Sequence, residues 1–333
     1  MKYIVVYNPK AGNGAKLRLL KGIKQAFADA DNADNLVVVG TKARLHAKQI
    51  AEECAEKYGE NATVVAFGGD GTINEIANGL AGTTTPMMVL PCGTANDFCK
   101  KFYGKKVTAF DVCEAMGLLS GMPNPAYINS DMIKVNGKWS LNIMSFGFDT
   151  EVVRKGRDMA SKMPFFGQLN YKMAVVPCVF GNTVFKADAD LNLVDENGNV
   201  HNEKKEVEFT LMAVCNGSYY GGGFYPAPNA SITDGVLELC IADRVEGAEI
   251  LKLAPLYMKG VAHEKSDKVN LYRTVSGRIK SLDGTFFYNC DGESIETDEV
   301  NYEVAKGALR LCCMPDYEGA VAELSCCGSG CAE

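Results

Sequence analysis

The sequence predicts two domains of different class. A three-layer α/β domain spans residues 1–125, a mainly antiparallel β-sandwich spans 126–314, and a cysteine-bearing tail occupies 315–333, with a return to the first domain as one option. Three observations carry this. From Lys2 to about Leu119 short apolar runs alternate with amphipathic stretches, the pattern of a mostly parallel sheet covered on both faces. The stretch Gly121-Met122-Pro123-Asn124-Pro125 then interrupts every periodicity. Beyond it the apolar runs are short, β-rich and separated by turn residues. A length of 333 residues suits two domains of about 150 each.

In the first domain, KYIVVY is a predicted strand, residues 15–28 a helix, 36–39 a strand, 43–58 a helix and 63–67 a strand. Next come a helix near 73–80, a strand at 87–90 and a helix near 96–102. In the second domain, strands are expected at 131–135, 139–144, 187–194, 207–214, 236–241, 268–272, 278–282 and 286–288. Asp195-Glu196-Asn197-Gly198-Asn199 reads as a hairpin turn, because Asn and Gly tolerate positive φ. An insertion near 152–180 is more helical and rich in Met and Phe.

Hydrophobic residues are 47% and charged residues 23%, which excludes disorder. A net charge of −7 argues against a dedicated nucleic-acid binder, which needs cations to neutralise phosphates. The longest apolar runs fall well short of the roughly 20 residues that cross a bilayer. The opening MKYIVVYNPK turns polar too early for a signal peptide, so a cytoplasmic protein is expected. Of the 13 cysteines, Cys92, Cys178, Cys215, Cys240, Cys312 and Cys313 sit in apolar segments and read as small buried hydrophobes. The tail cysteines Cys326, Cys327 and Cys331 have no zinc-like spacing.

Three Gly-rich junctions fall where a predicted strand ends and a helix begins. They are Asn8-Pro9-Lys10-Ala11-Gly12, then Gly68-Gly69-Asp70-Gly71-Thr72-Ile73-Asn74-Glu75, then Pro91-Cys92-Gly93-Thr94-Ala95-Asn96-Asp97. In an open parallel sheet the carboxyl ends of the strands share one edge, so the three loops can meet in one crevice. Helix N-termini and free N–H groups there suit a phosphate, each dipole contributing about 0.3–1 kcal/mol. NPxxG alone is a generic turn, whereas GGDGTxNE is far more specific. The P-loop pattern GxxxxGK[ST] is absent.

In chain order, NPxxG, GGDGTxNE and PxGTxND resemble the diacylglycerol kinase catalytic-domain family, the soluble lipid kinases related to sphingosine kinases. The GGDGT signature is more distantly similar to nicotinamide dinucleotide kinases and 6-phosphofructokinases. The second half carries the resemblance on: NIMSFGFDTEV (142–152), NGSYYGGGFYP (216–226), SITDGV (231–236) and CDGE (290–293).

The resemblance implies an ATP- and Mg²⁺-dependent kinase with a nucleotide site at Asn8, Pro9, Lys10, Ala11, Gly12, Thr41, Gly68, Gly69, Gly71, Thr72, Asn74, Glu75, Gly93, Thr94 and Asn96. Asp70 would hold the catalytic Mg²⁺, with Asp97 in the same network. Thr41 also reads as an N-cap of the following helix. Asp291 is implied as the general base, with Glu293 supporting it or taking the role itself. An extended i, i+2 pair would put the two carboxylates on one side, able to share a proton. On its own, Asp-Gly is a simple turn. Ser231, Asp234 and Val236 would hold a second, structural Mg²⁺ through two carbonyls and one carboxylate.

A lipid acceptor needs an apolar receptacle, for which Met159, Met163, Phe165, Phe166, Leu169, Met173, Val175, Val176, Val179 and Phe180 are candidates. Lys100, Lys101, Lys105 and Lys106, interleaved with Phe102 and Tyr103, would suit a membrane surface with anionic headgroups, or form an ordinary solvated helix end. The expected activity is phosphorylation of a lipid hydroxyl, first of all diacylglycerol to phosphatidic acid, by a peripherally membrane-associated homodimer. The alternatives are a same-fold kinase of a sphingoid base, a polyprenol or nicotinamide dinucleotide, and a non-catalytic nucleotide-binding regulator.

Overall fold

The computed structural model describes residues 1–9, 14–162, 178–179, 181 and 183–315. They form two compact units, Met1–Met132 with the segment from Lys306 onward, and Ile133–Ala305. The first unit contains β1 (Lys2–Tyr7), α1 (Gly14–Asp29), β2 (Leu36–Gly40), α2 (His46–Tyr58), β3 (Ala62–Gly68), α3 (Asp70–Leu80), β4 (Met87–Pro91), α4 (Asp97–Phe102) and α5 (Ala109–Ala115). The strands run parallel in the order β2-β1-β3-β4, with Val5 beside Val38 and Val65, and Val65 beside Met88.

All seven residues of β3 are buried, so both faces of this sheet are covered, as its unbroken apolar run requires. The helices close over it with one face each. On α3 the buried Ile73, Ile76, Ala77 and Leu80 recur at helical spacing. The chain steps from β1 out to β2 and returns past β1 for β3. The loops after β1 and β3 therefore flank the point where the winding reverses, which in open α/β sheets is where ligands bind.

Helix α5 is absent from the predicted elements. It starts on a capping box: Asp111 donates its N–H to the Thr108 hydroxyl (3.3 Å), and the Asp111 carboxylate accepts the Thr108 N–H (2.7 Å). Helix α2 begins at His46 and not at residue 43, because Leu45 takes a left-handed conformation (φ 64°) before the first turn.

The second unit holds the rest of β5 (Ala126–Val135), then β6 (Lys138–Ser140), β7 (Ile143–Gly147), α6 (Phe148–Lys162), β8 (Phe185–Val194), β9 (Val200–Cys215), β10 (Leu237–Asp243), β11 (Val269–Ser281), β12 (Phe286–Cys290) and β13 (Glu293–Thr297). Long strands make the sandwich. β9 pairs antiparallel with β8 through its first half and with β10 through its second, whereas β11 pairs with β10 first and with β8 second. Between the layers lie Phe146, Met212, Val214, Leu239, Ile279 and Tyr288. Each such buried side chain contributes about 1.5–3 kcal/mol. A second cluster, including Ile143, Ala213, Cys215, Cys240 and Tyr257, lies under helix Ala248–Lys259.

Three expectations need correction. The strand predicted at 139–144 is two strands, because Leu141 and Asn142 leave the ladder to bind Asp291. The runs at 268–272 and 278–282 are one strand, β11, with a register shift between Thr274 and Ser276. The two compact units divide after Met132, inside β5, and not after Pro125, where that strand begins. Residues from Lys306 belong with the first unit, because the last strand, β14 (Glu299–Cys313), sets Leu311 and Cys312 parallel to Met87 and Met88 of β4.

Candidate functional site

In the first unit the second and third Gly-rich loops are locked together through backbone. A Cβ on Gly93 would lie 2.5 Å from the Gly69 Cα, which excludes a side chain there, and one on Gly69 would lie 3.1 Å from the Gly93 Cα, a tight contact that the facing loop would have to yield to. Asp70 joins the same loops by charge. Its Oδ1 accepts the Asp97 N–H (2.8 Å) and its Oδ2 the Asn96 N–H (3.0 Å), capping α4. Asn96 (φ 50°) closes the third loop on itself, its Oδ1 accepting from the Gly93 N–H at 2.7 Å and its Nδ2 donating to the Gly93 carbonyl at 3.1 Å.

Gly71 is different. A Cβ there would meet nothing within 4 Å among the described residues, leaving the surface above the first turn of α3 open to them where a phosphate would approach. Gly93→Ala is therefore expected to destabilise by about 1–3 kcal/mol through overpacking. Gly71→Ala should leave the thermal midpoint almost unchanged; unfolding scans of both variants check this.

Asp97 is buried and Asp70 half-buried, and Lys100 donates to Asp97 Oδ1 at 2.7 Å. Burial, and next the Asp97 carboxylate, push the Asp70 carboxyl up against the pull of its two N–H donors. A Mg²⁺ fits this donor set: two neighbouring hard carboxylates, relieved by a cation, with phosphate and water oxygens completing the shell. Among the described residues no group of three or more His, Cys, Asp or Glu side chains gathers to hold a metal, so most ligands would come from the nucleotide and water.

Other predicted positions have different surroundings. Glu75 turns away from the loops to cap α2, accepting the Leu45 N–H on Oε1 (3.0 Å) and the Ala47 N–H on Oε2 (3.2 Å). Asn74 pairs with the Asn78 amide one turn on (3.0 Å). Thr72 packs over Gly68, where a Cβ would lie 2.5 Å from its own. Thr41 is no N-cap, since α2 starts five residues later; its N–H donates to the Tyr7 carbonyl at 2.8 Å. Thr94 is exposed at the third loop. Asn8 and Pro9 follow β1, while Lys10, Ala11 and Gly12 lie outside the described residues.

Lys16, which the motifs did not single out, is buried in the first turn of α1. Its ammonium is 3.4 Å from the Asn8 carbonyl and 5.3 Å from the centre of the Phe67 ring, and burial lowers its pKa. The signal available was a lone cation on the otherwise apolar face of α1.

In the second unit the predicted extended geometry of Asp291 and Glu293 is overturned. Asp291 (φ 45°) and Gly292 (φ 92°) are the two-residue turn between β12 and β13, closed by the Cys290–Glu293 pair. The Asp291 carboxylate points back into the sheet end. Its Oδ2 accepts the Leu141 N–H (2.6 Å) and the Ser140 hydroxyl (3.0 Å), and its Oδ1 the N–H groups of Asn142 (3.2 Å) and Ile143 (3.1 Å). Burial nevertheless pushes this carboxyl up to about 6. Asn142, held by Asp291, in turn donates its Nδ2 to the Tyr219 carbonyl at 2.7 Å, fastening the NGSYYGGG segment.

Beside this turn lies a polar row on the face under α6. Ser145, Asn289 and Ser294 are successive cross-strand partners on β7, β12 and β13, and Arg154 of α6 stands 5.4 Å from the centre of the Phe287 ring on the same face. Among the described residues, the Ser145 and Ser294 hydroxyls, Asn289 Oδ1 and Asp149 Oδ2 are buried without a partner in hydrogen-bonding geometry. Asp149 Oδ1 accepts the Thr150 N–H at 2.8 Å. Burial pushes the Asp149 carboxyl up to about 6, against the pull of the Thr150 N–H. The sequence pattern marked Asp149 only as part of a motif.

The lysine cluster is not basic-aromatic as predicted. Phe102 and Tyr103 are core residues, the Tyr103 hydroxyl donating to the Val89 carbonyl at 3.1 Å, and Lys100 is turned to Asp97. Lys101, Lys105 and Lys106 remain exposed, with Phe110 exposed in the following helix. Of the candidate apolar receptacle, Val179 is buried beside Val245 and Ile250. The Met159 side chain and Met163, Phe165, Phe166, Leu169, Met173, Val175, Val176 and Phe180 lie outside the described residues, as do Cys326, Cys327 and Cys331. No helix among the described residues is long and apolar enough to cross a membrane.

Comparison with known proteins agrees with both halves. Residues 2–126 match the diacylglycerol kinase catalytic domain, and residues 142–313 match the YegS C-terminal NAD kinase beta sandwich-like domain. A diacylglycerol kinase of Bacillus subtilis is 27% identical over 303 residues, covering 87% of this chain and 88% of that protein. One of Mycobacterium tuberculosis is 28% identical over 286 residues, covering 84% and 85%. The crystal structure of a diacylglycerol kinase from Bacillus anthracis superposes with a TM-score of 0.65 at 21% identity, covering 95% of this chain and 98% of that one, which shows the fold.

Proposed function

Because the chain belongs to the diacylglycerol kinase catalytic-domain family of lipid kinases, we propose that it transfers the γ-phosphate of ATP to a lipid hydroxyl, diacylglycerol first among the acceptors. The observation that carries this reading is the Asp70 junction. Two Gly-rich loops meet at Gly69 and Gly93, one half-buried carboxylate ties them to the start of α4, and open backbone lies over Gly71. Phosphoryl transfer asks for little more than such positioning and charge.

In this reading the N–H groups at the start of α3 and the third loop bind the phosphates. Asp70, with Asp97 beside it, would hold Mg²⁺, which when bound neutralises charge on the transferring group. Lys16 keeps a positive charge next to the first loop. Asp291 takes the acceptor hydroxyl's proton, with Glu293 supporting it or doing so in its place. A carboxyl near pKa 6 is a far better base at neutral pH than an ordinary aspartate, and remains ionised there. The exposed Lys101, Lys105 and Lys106 with Phe110 would meet anionic lipid at the membrane surface, and the active species would be a homodimer.

The pH dependence follows with its sign. The base works only when deprotonated, so activity should be level above about pH 7 and fall as pH drops through about 6, approaching tenfold per unit. A kcat/KM profile of wild type between pH 5 and 8 checks this; a level profile down to pH 5 contradicts the assignment.

A second reading is favoured by Asp149. Its buried carboxylate, with Oδ2 unpartnered among the described residues, would suit an acceptor carrying an ammonium group, such as a sphingoid base. An ATP-consumption screen over diacylglycerol, ceramide, sphingosine, polyprenol and nicotinamide dinucleotide in mixed micelles separates the readings. Turnover with diacylglycerol supports the first and preference for sphingosine the second. Turnover with the dinucleotide alone removes both.

A further inference from the structure

Helix α1 turns one stripe inward, made of Lys16, Leu20, Ile23 and Phe27, and the first member of that stripe is a cation. A methionine or leucine would fill the same place without the cost of taking an ammonium out of water. The position is unfavourable for a second reason. The start of a helix carries partial positive charge and is stabilised by anions, yet the first turn, Gly14-Ala15-Lys16-Leu17, contains no acid. A buried cation set against the positive end of its own helix lowers stability until an anion comes to it.

The ammonium stands where three neighbouring strands end. It donates to the carbonyl of Asn8, just past β1, at 3.4 Å. It lies 5.3 Å from the centre of the Phe67 ring, one residue before the end of β3. From the third loop it feels Cys92, the residue after β4, whose own N–H donates to the Gly68 carbonyl at 3.1 Å. The charge therefore sits at the meeting point of the three Gly-rich junctions. A lysine ammonium has a flexible stem and three rotatable donors, so it can turn from a main-chain carbonyl to a phosphate. We propose that Lys16 binds the phosphate chain of the nucleotide, supplying from the first turn of α1 the cation that the absent P-loop pattern would have carried. The inference rests on the kinase reading and adds to it a contact residue that lies outside all of its motifs.

Dissociation constants of the full chain for ATP and for adenosine, together with thermal unfolding without nucleotide, test the proposal. In Lys16→Met the preference for ATP over adenosine should fall by about tenfold or more, as loss of a hydrogen bond between charged groups requires, while adenosine affinity stays within about twofold. The nucleotide-free midpoint of Lys16→Met should equal or exceed that of wild type, because the variant removes a buried charge kept for binding. Lys16→Arg should retain most of the preference. An unchanged preference in Lys16→Met would overturn the proposal, and a lowered midpoint beside it would assign Lys16 to holding the first loop. Should Lys16→Met fail to fold, Lys16→Gln, which keeps a donor without the charge, makes the same comparison. Wild type that binds neither ligand removes the kinase reading together with this inference. Wild type that prefers ATP, with a preference the substitution does not touch, removes this inference alone.

Discussion

Replacing Asp291 by Asn is expected to lower turnover by about three orders of magnitude while ATP affinity stays within about threefold of wild type. Loss of a general base alone accounts for 10²–10⁴-fold. The geometry adds a structural cost. Four donors converge on the two carboxylate oxygens, three of them backbone N–H groups from consecutive residues. An amide must turn its own NH₂ toward one pair of them, leaving buried donors unsatisfied at about 1–3 kcal/mol. Asn142 would then loosen, and with it the Tyr219 carbonyl that it holds.

Turnover and thermal midpoint should therefore fall together in Asp291→Asn. In Glu293→Gln, whose residue lies outside that set of contacts, the midpoint should be nearly unchanged. If Glu293→Gln loses the activity limb near pH 6 and Asp291→Asn keeps it, Glu293 is the base and Asp291 only shapes the turn. Rates, midpoints and pH profiles of the two variants make the comparison.

Replacing Asp70 by Asn is the second large effect. An asparagine can still accept the Asp97 or the Asn96 N–H, though only through one oxygen. The fold should survive, with a loss of about 1–2 kcal/mol for the weakened cap on α4. The negative charge facing Asp97 and the nucleotide's metal is gone, so turnover should fall at least 10³-fold. The Mg²⁺ concentration giving half-maximal rate should rise well above that of wild type. Titrating the residual rate with Mg²⁺ checks this; an unchanged Mg²⁺ midpoint would assign Asp70 to structure alone.

What could be read from the sequence follows the range of the interactions. The three Gly-rich loops were legible because their requirements are local: strand, tight backbone, helix start. That Gly69 and Gly93 are glycines for each other's sake was not, since the contact joins two separate loops. Glu75 sits inside the most specific motif, yet it caps α2 through N–H groups 28 and 30 residues away.

Asp291 is the extreme case. The Asp-Gly pair announced a turn, but the donors that define the carboxylate come from 148–151 residues earlier, and they also split one apparent strand into β6 and β7. Phe102 and Tyr103 misled for the opposite reason. Their lysine neighbours suggested a surface, while a six-residue helix buries its aromatic side and exposes Lys101. Helix α5 could have been found, since Thr108 and Asp111 stand in the capping-box positions of the sequence itself.

The central claim is that this chain moves a phosphate from ATP to a lipid, using Asp70 at the nucleotide. Incubation with γ-labelled ATP, Mg²⁺ and diacylglycerol in mixed micelles, followed by organic extraction, tests it most directly. The label should pass into the organic phase as phosphatidic acid with wild type and remain in the aqueous phase with Asp70→Asn. Label in the lipid at equal rates with both proteins, or in no lipid while ATP is consumed, would contradict it.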